Sequence, residues 1–268
     1  MKHRKSLTAI LLIMTIAIGS EIEASWKEPT TLISGSWGSA KDQFGLEMNS
    51  DDYYEFPREL IVLPNGDIWI PDGLVNQRLK LYDARGILKK IISLDVATQS
   101  FPEYWFIGQF NAVGTDGLVY MSNYMGKDLY AVYSATGKLL STTEKRPTEL
   151  GSVKRVPAGD QQEIQVTYGD TVYKIKSKHK FKKFLRDKQE NLYAILPTLV
   201  EKYNKQGALL SRLELPAPVN FAGDNLPIMY LPYLLPIIDL DGNVYRWEAT
   251  RRSYSIIKWL QVDESSAK

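Results

Sequence analysis

The chain of 268 residues contains no cysteine and only two histidines, His3 and His179. The lack of cysteine excludes disulfide scaffolds, cysteine nucleophiles and zinc sites built on thiolates. The scarcity of histidine removes the usual base for a serine nucleophile, and His179 stands between two lysines that disfavour its protonated form. Phosphate-binding loops, Gly-x-Ser-x-Gly and paired metal-binding histidines are also missing. The sequence therefore gives little support for common catalytic chemistry.

A large excess of charge is missing as well. Lys and Arg number 33 against 31 Asp and Glu, which leaves a formal charge of +2. A protein that binds polyanions by bulk charge needs a strongly basic balance, so no nucleic acid partner is expected. The apolar fraction of 44% and the charged fraction of 24% are typical of a folded soluble protein.

Long hydrophobic runs are limited to one near the start of the chain. Residues Leu7 to Ile18 carry no charge and follow a basic segment. Roughly 20 apolar residues are needed to span a bilayer, so this run is typical of a signal peptide. Ile22 and Ala24 approximate the −3 and −1 positions of a cleavage site. We therefore predict a cleavable signal peptide over residues 1–24, a single domain over residues 25–268 with no transmembrane span, and a periplasmic or secreted bacterial protein.

One pattern recurs along the chain: a polar turn, a β-branched residue or leucine, and then a large aromatic residue. Its aromatic positions are Trp69, Tyr120, Tyr173, Tyr193 and Tyr245. Three of the four spacings are 51 to 53 residues, and the step from Tyr173 to Tyr193 is 20. The short step predicts that Tyr173 lies on a different strand of its unit.

A second pattern is a strand, a tight turn ending in glycine and another strand. It contains Gly86, Gly137 and Gly207. Because no long stretch keeps a helical apolar period, the chain is predicted to be all-β. Repeated antiparallel units of this length are typical of a β-propeller, with the recurring aromatic residues packed between blades. Five units are recognisable, near residues 57–95, 106–142, 150–178, 180–214 and 228–262.

One unit carries a family resemblance. Ile68-Trp69-Ile70-Pro71-Asp72, followed by Asn76-Gln77-Arg78, resembles the NHL repeat, and the match covers residues 35–92. The resemblance implies a β-propeller with six blades, which we favour; a sixth degenerate unit and a ring of five both stay open. Thr31 to Ser34 form a short apolar strand, and the last unit lacks an outer strand. We therefore expect the N-terminal strand to close the ring.

An enzymatic alternative depends on Asp72, Asn123 and Glu248, which lie at comparable points after the second strand of three units. Lactonase-type six-bladed propellers resemble this fold, and the resemblance implies Ca²⁺ or another divalent ion in the central channel, held by such residues. The opposing interpretation is that Asp72 binds backbone amides in the loops. Residues 239–243 are similarly open to two interpretations, part of a calcium loop or a hairpin turn. No metal or cofactor is expected outside this alternative.

Lysines occupy every second position from 174 to 182. A continuous strand would place them on one face, and a turn near residues 178–180 would split them into two groups. They form either a solvated sheet edge or a weak contact for anionic surfaces. The candidate residues are Lys174, Lys176, Lys178, Lys180 and Lys182.

Aromatic residues concentrate between units, where connecting loops belong. Tyr104 and Trp105 lie just before the second unit, and Tyr230 and Tyr233 lie at the beginning of the last unit. Aromatic residues on loops form rigid contact surfaces, although buried packing is an alternative. The sequence favours an exported, non-enzymatic propeller that binds a protein or glycan partner in the cell envelope through its loop faces; the alternatives are the lactonase-type hydrolase and an adhesin acting through the lysines.

Overall fold

The computed structural model describes residues 26–48, 54–57, 59–72, 75–76, 78–93, 112–122, 130–217 and 234–262. These residues form strands, apart from turns and a single 3-10 helix over Thr148–Leu150. The all-β prediction is therefore confirmed. None of the described helical structure is long and apolar enough to cross a membrane.

The described strands number 21 and pair with their neighbours in antiparallel fashion. In chain order they are β1 Thr30–Ser36, β2 Glu47–Met48, β3 Tyr54–Glu55, β4 Ile61–Val62, β5 Ile68–Asp72, β6 Arg78–Tyr82, β7 Leu88–Ser93, β8 Ala112–Val113, β9 Val119–Ser122, β10 Tyr130–Tyr133, β11 Leu139–Thr143, β12 Ser152–Ala158, β13 Gln161–Tyr168, β14 Thr171–Ser177, β15 Lys183–Arg186, β16 Leu192–Leu196, β17 Leu199–Tyr203, β18 Leu209–Glu214, β19 Ile237–Ile238, β20 Val244–Ala249 and β21 Ser253–Trp259.

Five sheets form the blades of a propeller-like ring. The first blade is β4 to β7, the second β8 to β11, the third β12 to β14, the fourth β15 to β18, and the fifth β19 to β21 with β1. The favoured count of six is therefore wrong for the described residues, and the five units recognised in the sequence correspond to the blades. The residues ahead of the first unit supply β1 and the two-stranded β2–β3 sheet rather than another blade.

The first and last blades meet through the N-terminal strand, as the sequence predicted. β1 is the outer strand of the fifth blade and pairs with β21, with Ser34 opposite Ser255. Trp26 extends this contact, because its indole nitrogen donates to the carbonyl oxygen of Gly242 at 3.2 Å. Ile33 of β1 is buried in a cluster that joins the fifth blade to the first.

Buried side chains fill four of the five interfaces between blades. The recurring aromatic residues take part: Trp69 packs with the second blade, Tyr193 with the fifth and Tyr245 with the first. Tyr173 instead lies on β14, the outer strand of its blade, which explains the short step to Tyr193. Among the described residues, no apolar cluster joins the second blade to the third.

Candidate functional site: the channel and the third blade

A central channel of about 420 Å³ runs between the blades. The inner strands β4, β8, β15 and β19 line it, together with the turns that follow β8, β15 and β19. Its charged lining residues are Glu149, Lys183, Arg186, Asp187, Lys188, Glu190 and Asp239.

One ion pair joins two blades that are not neighbours in the ring. Lys183 of the fourth blade donates through Nζ to Glu59 Oε2, just ahead of the first blade, at 3.4 Å. Both side chains are largely shielded, with 10% and 17% of their surface exposed. Burial raises the pKa of Glu59, and the positive charge of Lys183 acts in the opposite direction. The charged groups of Lys183 and Glu59 are therefore engaged with each other.

Two carboxylates of the channel accept hydrogen bonds from residues in the turns of their own blades. Asp239 accepts hydrogen bonds from the backbone N–H groups of Asp241 and Asn243, from the Asn243 side chain and from the Tyr245 hydroxyl. Asp187 accepts three equivalent bonds in the fourth blade, from the backbone N–H and side chain of Asn191 and from the Tyr193 hydroxyl. Residues 239–243 thus form the hairpin turn between β19 and β20, and burial raises the pKa of Asp239 despite these bonds.

Asp72 is almost completely buried beside the loop that precedes the first blade. Its Oδ1 accepts from the backbone N–H of Gly45 at 3.0 Å, and its Oδ2 accepts from the side chains of Asn76 and Arg78. This is the loop-binding role that the sequence offered as the alternative to metal binding. Arg78 continues the network to the carbonyl oxygens of Ser39 and Ala40.

Glu248 has a different environment. Its Oε1 accepts from Arg246 Nη2 at 2.7 Å, and Arg246 is fully buried with its guanidinium over the Trp259 ring. Glu248 therefore balances a buried positive charge in the fifth blade. Asn123 lies outside the described residues. Within the described ranges, no three His, Asp or Glu side chains are grouped so that they could hold a metal ion.

Among the described residues, the third blade has three strands and lacks the inner strand that the other four blades have. The contacts of three turn glycines show which strand of the third blade is outermost. An added side chain at Gly86 would collide with β1, and one at Gly137 would collide with β7. An added side chain at Gly207 would collide with the carbonyl oxygen of Lys174 on β14. Since β1 and β7 are outer strands, β14 is an outer strand too. β12 is then the innermost of three strands. The 3-10 helix Thr148–Leu150 precedes β12 and contacts both β8 and β13.

A cleft of about 340 Å³ adjoins the channel at this position. The two cavities share Ala112, Glu149, Tyr168, Lys183 and Leu185 as lining residues. Val153, Arg155 and Val166 of the third blade form one wall of the cleft, and residues 182–185 form another. The channel therefore has a side opening where an inner strand would otherwise lie.

The sheet face turned away from the fourth blade carries unneutralised positive charge. Register places Lys154, Gln165 and Lys174 in one row across the blade, and Val156, Glu163 and Lys176 in the next. We call these six residues, with Val172, the basic face. Val156 is 48% exposed and Val172 42% exposed. No ion pair engages the three lysines within the described part of the chain.

The lysine series is divided in the way a turn near residues 178–180 predicts. Lys174 and Lys176 lie exposed on β14, whereas Lys178 and Lys180 lie in the connection to the fourth blade. Lys182 is exposed immediately before β15. The loop candidates Tyr104, Trp105, Tyr230 and Tyr233 lie outside the described residues.

Sequence reasoning missed the incomplete blade, although one signal was present. The third unit spans residues 150–178, or 29 residues, whereas the first spans 57–95, or 39 residues. A shortfall of about ten residues corresponds to one short strand and its turn.

No model of a known protein family matches the chain, and no curated protein matches it. Several solved structures are distantly similar. A catalytically inactive variant of virginiamycin B lyase from Staphylococcus aureus, with quinupristin, is 11% identical, with 88% of this chain and 100% of that chain covered and a TM-score of 0.35. BamB from Moraxella catarrhalis is 16% identical, with 75% and 58% covered and a TM-score of 0.24. BBS1N in complex with ARL6DN is 9% identical, with 90% and 98% covered and a TM-score of 0.32.

Proposed function

We propose that this protein is an exported, non-enzymatic propeller that holds a protein partner in the cell envelope. The observation that carries the proposal is the interface between the second and third blades, which no apolar cluster of the described residues fills. Four interfaces between blades are closed by buried side chains, whereas the basic face keeps two valines and three lysines accessible. Exposed apolar side chains rimmed by polar residues are typical of a protein contact surface.

The charged groups of the channel support binding rather than catalysis. Asp187 and Asp239 are engaged in turns, and Glu59 and Lys183 are engaged with each other. Asp72 and Glu248, the carboxylates of the enzymatic alternative, are not among the residues that line the channel and have partners of their own. Each of these carboxylates has a structural role in a turn, a loop or an ion pair, which supports binding rather than proton transfer as the function.

The remaining sequence candidates belong to the same proposal. Tyr104, Trp105, Tyr230 and Tyr233 would extend the contact surface on the loops that join the blades. Lys178 and Lys180 would add positive charge beside the basic face, and Lys182 would add it at the cleft. Export by a signal peptide over residues 1–24 predicts a mature protein that begins at Ser25, which N-terminal sequencing of the exported protein would test.

Photo-crosslinking in living cells tests the contact surface. A benzophenone side chain replaces Lys176 in the basic face, and the control places it at Leu210, which is exposed on β18 of the fourth blade. We expect a discrete adduct from position 176 and none from position 210. The adduct should be lost when Lys154 and Lys174 are both changed to Glu. The absence of an adduct, or the same adducts from both positions, would contradict the proposal.

A further inference from the structure

We propose that the inner edge of β12 binds an extended, acidic segment of the partner by strand addition, so that the partner supplies the missing inner strand of the third blade. The inference rests on the proposed function, because it specifies how the partner is held. We call this edge the β12 edge; it is the side of Ser152–Ala158 that faces away from β13.

The turn after β12 determines which backbone groups point outward. Ala158 and Gln161 are paired across a loop of two residues, Gly159 and Asp160. In such a hairpin, the residues that flank the loop exchange both backbone hydrogen bonds, and hydrogen-bonded pairs then alternate along the ladder. The residues that bond to β13 are therefore Ser152, Lys154, Val156 and Ala158.

The other three residues of β12 turn their backbone groups to the β12 edge. Val153 and Arg155 each present one N–H and one C=O, and Pro157 presents only its C=O. The position of Pro157 agrees with this assignment, because proline is tolerated in a strand where its nitrogen faces away from the ladder. The edge therefore offers two donors and three acceptors for a new strand.

These groups have no backbone partner within the described part of the chain. All seven residues of β12 are exposed, in contrast to the buried inner strand β4 of the first blade. An unpaired strand edge is a template for another strand, and lysine and proline are the usual protection. Here Pro157 protects only one end of the edge, and Val153 remains 40% exposed on the cleft side.

The surroundings determine the chemistry of the added strand. Its side chains would alternate between the cleft and the basic face, because successive residues of a strand point to opposite sides. On the cleft side they would meet Val153, Leu150 and Val166. On the side of the basic face they would meet Lys154, with Lys174 in the same row and Lys176 in the next row. An alternation of apolar and acidic residues fits both sides.

Charge also disfavours pairing of the β12 edge with a second copy of itself. In an antiparallel pair of two such edges, one central register places Arg155 opposite Arg155, and the register shifted by two residues places Lys154 opposite Lys154. Like charges on adjacent strands are destabilising. An acidic segment has the opposite effect. The partner is therefore better described as a different, acidic chain than as a dimer of this one.

The proposal is tested with a short fluorescein-labelled peptide that alternates valine and glutamate, titrated with the full chain and followed by fluorescence anisotropy. The decisive variant is Arg155→Pro, which removes one outward N–H and leaves the bonds to β13 intact. Its matched control is Arg155→Ala, which loses the same guanidinium and its bond to the carbonyl oxygen of Phe181 but keeps the N–H. We expect Arg155→Pro to bind about tenfold more weakly than Arg155→Ala.

A second measurement does not depend on the folding of a variant. Methylation of alternate peptide nitrogens, on the side that would face β12, should abolish binding to the unaltered chain, whereas methylation on the opposite side should not. Equal affinity of the two methylated peptides, equal affinity of the two Arg155 variants, or a dimer of the chain that Arg155→Pro dissociates would overturn strand addition. If crosslinking from position 176 persists in Arg155→Pro, strand addition is wrong but the proposed scaffold function still stands. Failure of strand addition can therefore be told apart from failure of the proposed function.

Discussion

Lys183 and Glu59 form an ion pair across the channel, although 124 residues separate them in sequence. Lys183 opens the inner strand of the fourth blade, and Glu59 lies just ahead of the inner strand of the first. Because these blades are not neighbours, the pair couples opposite sides of the ring. Breaking a shielded pair from one side leaves the other charge without compensation, which makes this contact sensitive to pH and to substitution.

The Glu59 carboxyl should give a specific pH dependence of stability. Its pKa is raised above the ordinary value of 4.5, mainly by burial. The folded state therefore keeps the proton to a higher pH than the unfolded state, so the associated stability is present below about pH 4.5 and is lost as pH rises through the folded pKa. The Glu59→Gln variant has an amide in place of the carboxyl group, so this position cannot titrate. We expect the free energy of unfolding of the unaltered chain, minus that of Glu59→Gln, to fall as the pH rises above about 4.5 in urea titrations.

Glu190→Gln is the control with the opposite sign. Glu190 is an exposed carboxylate whose pKa is lowered, mainly by its hydrogen bond from Lys205. Its contribution is therefore present above pH 4.5 and lost at lower pH. A difference curve for Glu59→Gln that is flat, or that rises with pH as the Glu190→Gln curve should, would refute the assignment.

Lys80 should stabilise the fold more at alkaline pH. It is fully buried, its ammonium group donates to the carbonyl oxygen of Gln43, and it lies 4.1 Å from the centroid of the Phe44 ring. Burial and the positive charge of Arg78 lower its pKa from 10.5 to about 8. A lowered folded pKa means stability that is present above the unfolded value and lost as pH falls through the folded value.

Lys80→Met keeps a similar volume and cannot titrate. Relative to this variant, the unaltered chain should gain free energy of unfolding as the pH rises from about 8 toward 10, measured by urea denaturation. Lys138 is exposed and lies in the turn just before β11, so Lys138→Met controls for the loss of one positive charge. A parallel response of both variants would mean that Lys80 is not the titrating group.

The Asp239 turn should matter far more than the adjacent Asp241. Asp239→Ala removes the acceptor for two backbone N–H groups, the Asn243 amide and the Tyr245 hydroxyl. We expect a loss of about 2–4 kcal/mol in the free energy of unfolding, because buried donors are left without partners. Asp241→Ala removes only a half-exposed carboxylate paired with Lys188 and should cost about 0.5 kcal/mol or less. Similar losses for the two variants would contradict the assigned role of Asp239.

An engineered disulfide should test the closure of the ring. Ser34 and Ser255 face each other across β1 and β21, and the chain has no native cysteine to interfere. The double variant Ser34→Cys/Ser255→Cys should oxidise readily and raise the free energy of unfolding by about 2–4 kcal/mol relative to its reduced form. The pair Ser34→Cys/Ser253→Cys, displaced by two residues along β21, is the control and should oxidise more slowly. Equal oxidation of both pairs would argue against the register.

Local signals predicted much of the fold. The spacing of the recurring aromatic residues located the units, and Trp69, Tyr193 and Tyr245 each pack between their own blade and a neighbouring one. The turn at 239–243 and the division of the lysines were also readable, since both depend on residues close in sequence. The pairing of β1 with the last blade was inferred from one missing outer strand.

Features that depend on distant residues were not predictable in the same way. The count of six followed from one well-matched unit, whereas the number of blades depends on how all units pack together. The contact between Glu59 and Lys183 depends on ring geometry that neither local sequence contains. The β12 edge is a missing partner, and the residues of β12 themselves have the ordinary composition of a strand.

The pairing of β1 with β21 also sets an order of events during synthesis. A ribosome makes β1 more than two hundred residues before β21, so the fifth blade cannot be completed until Ser253–Trp259 has left the exit tunnel. A nascent chain that stalls before Ser253 would therefore carry β1 as a single strand available to chaperones and proteases.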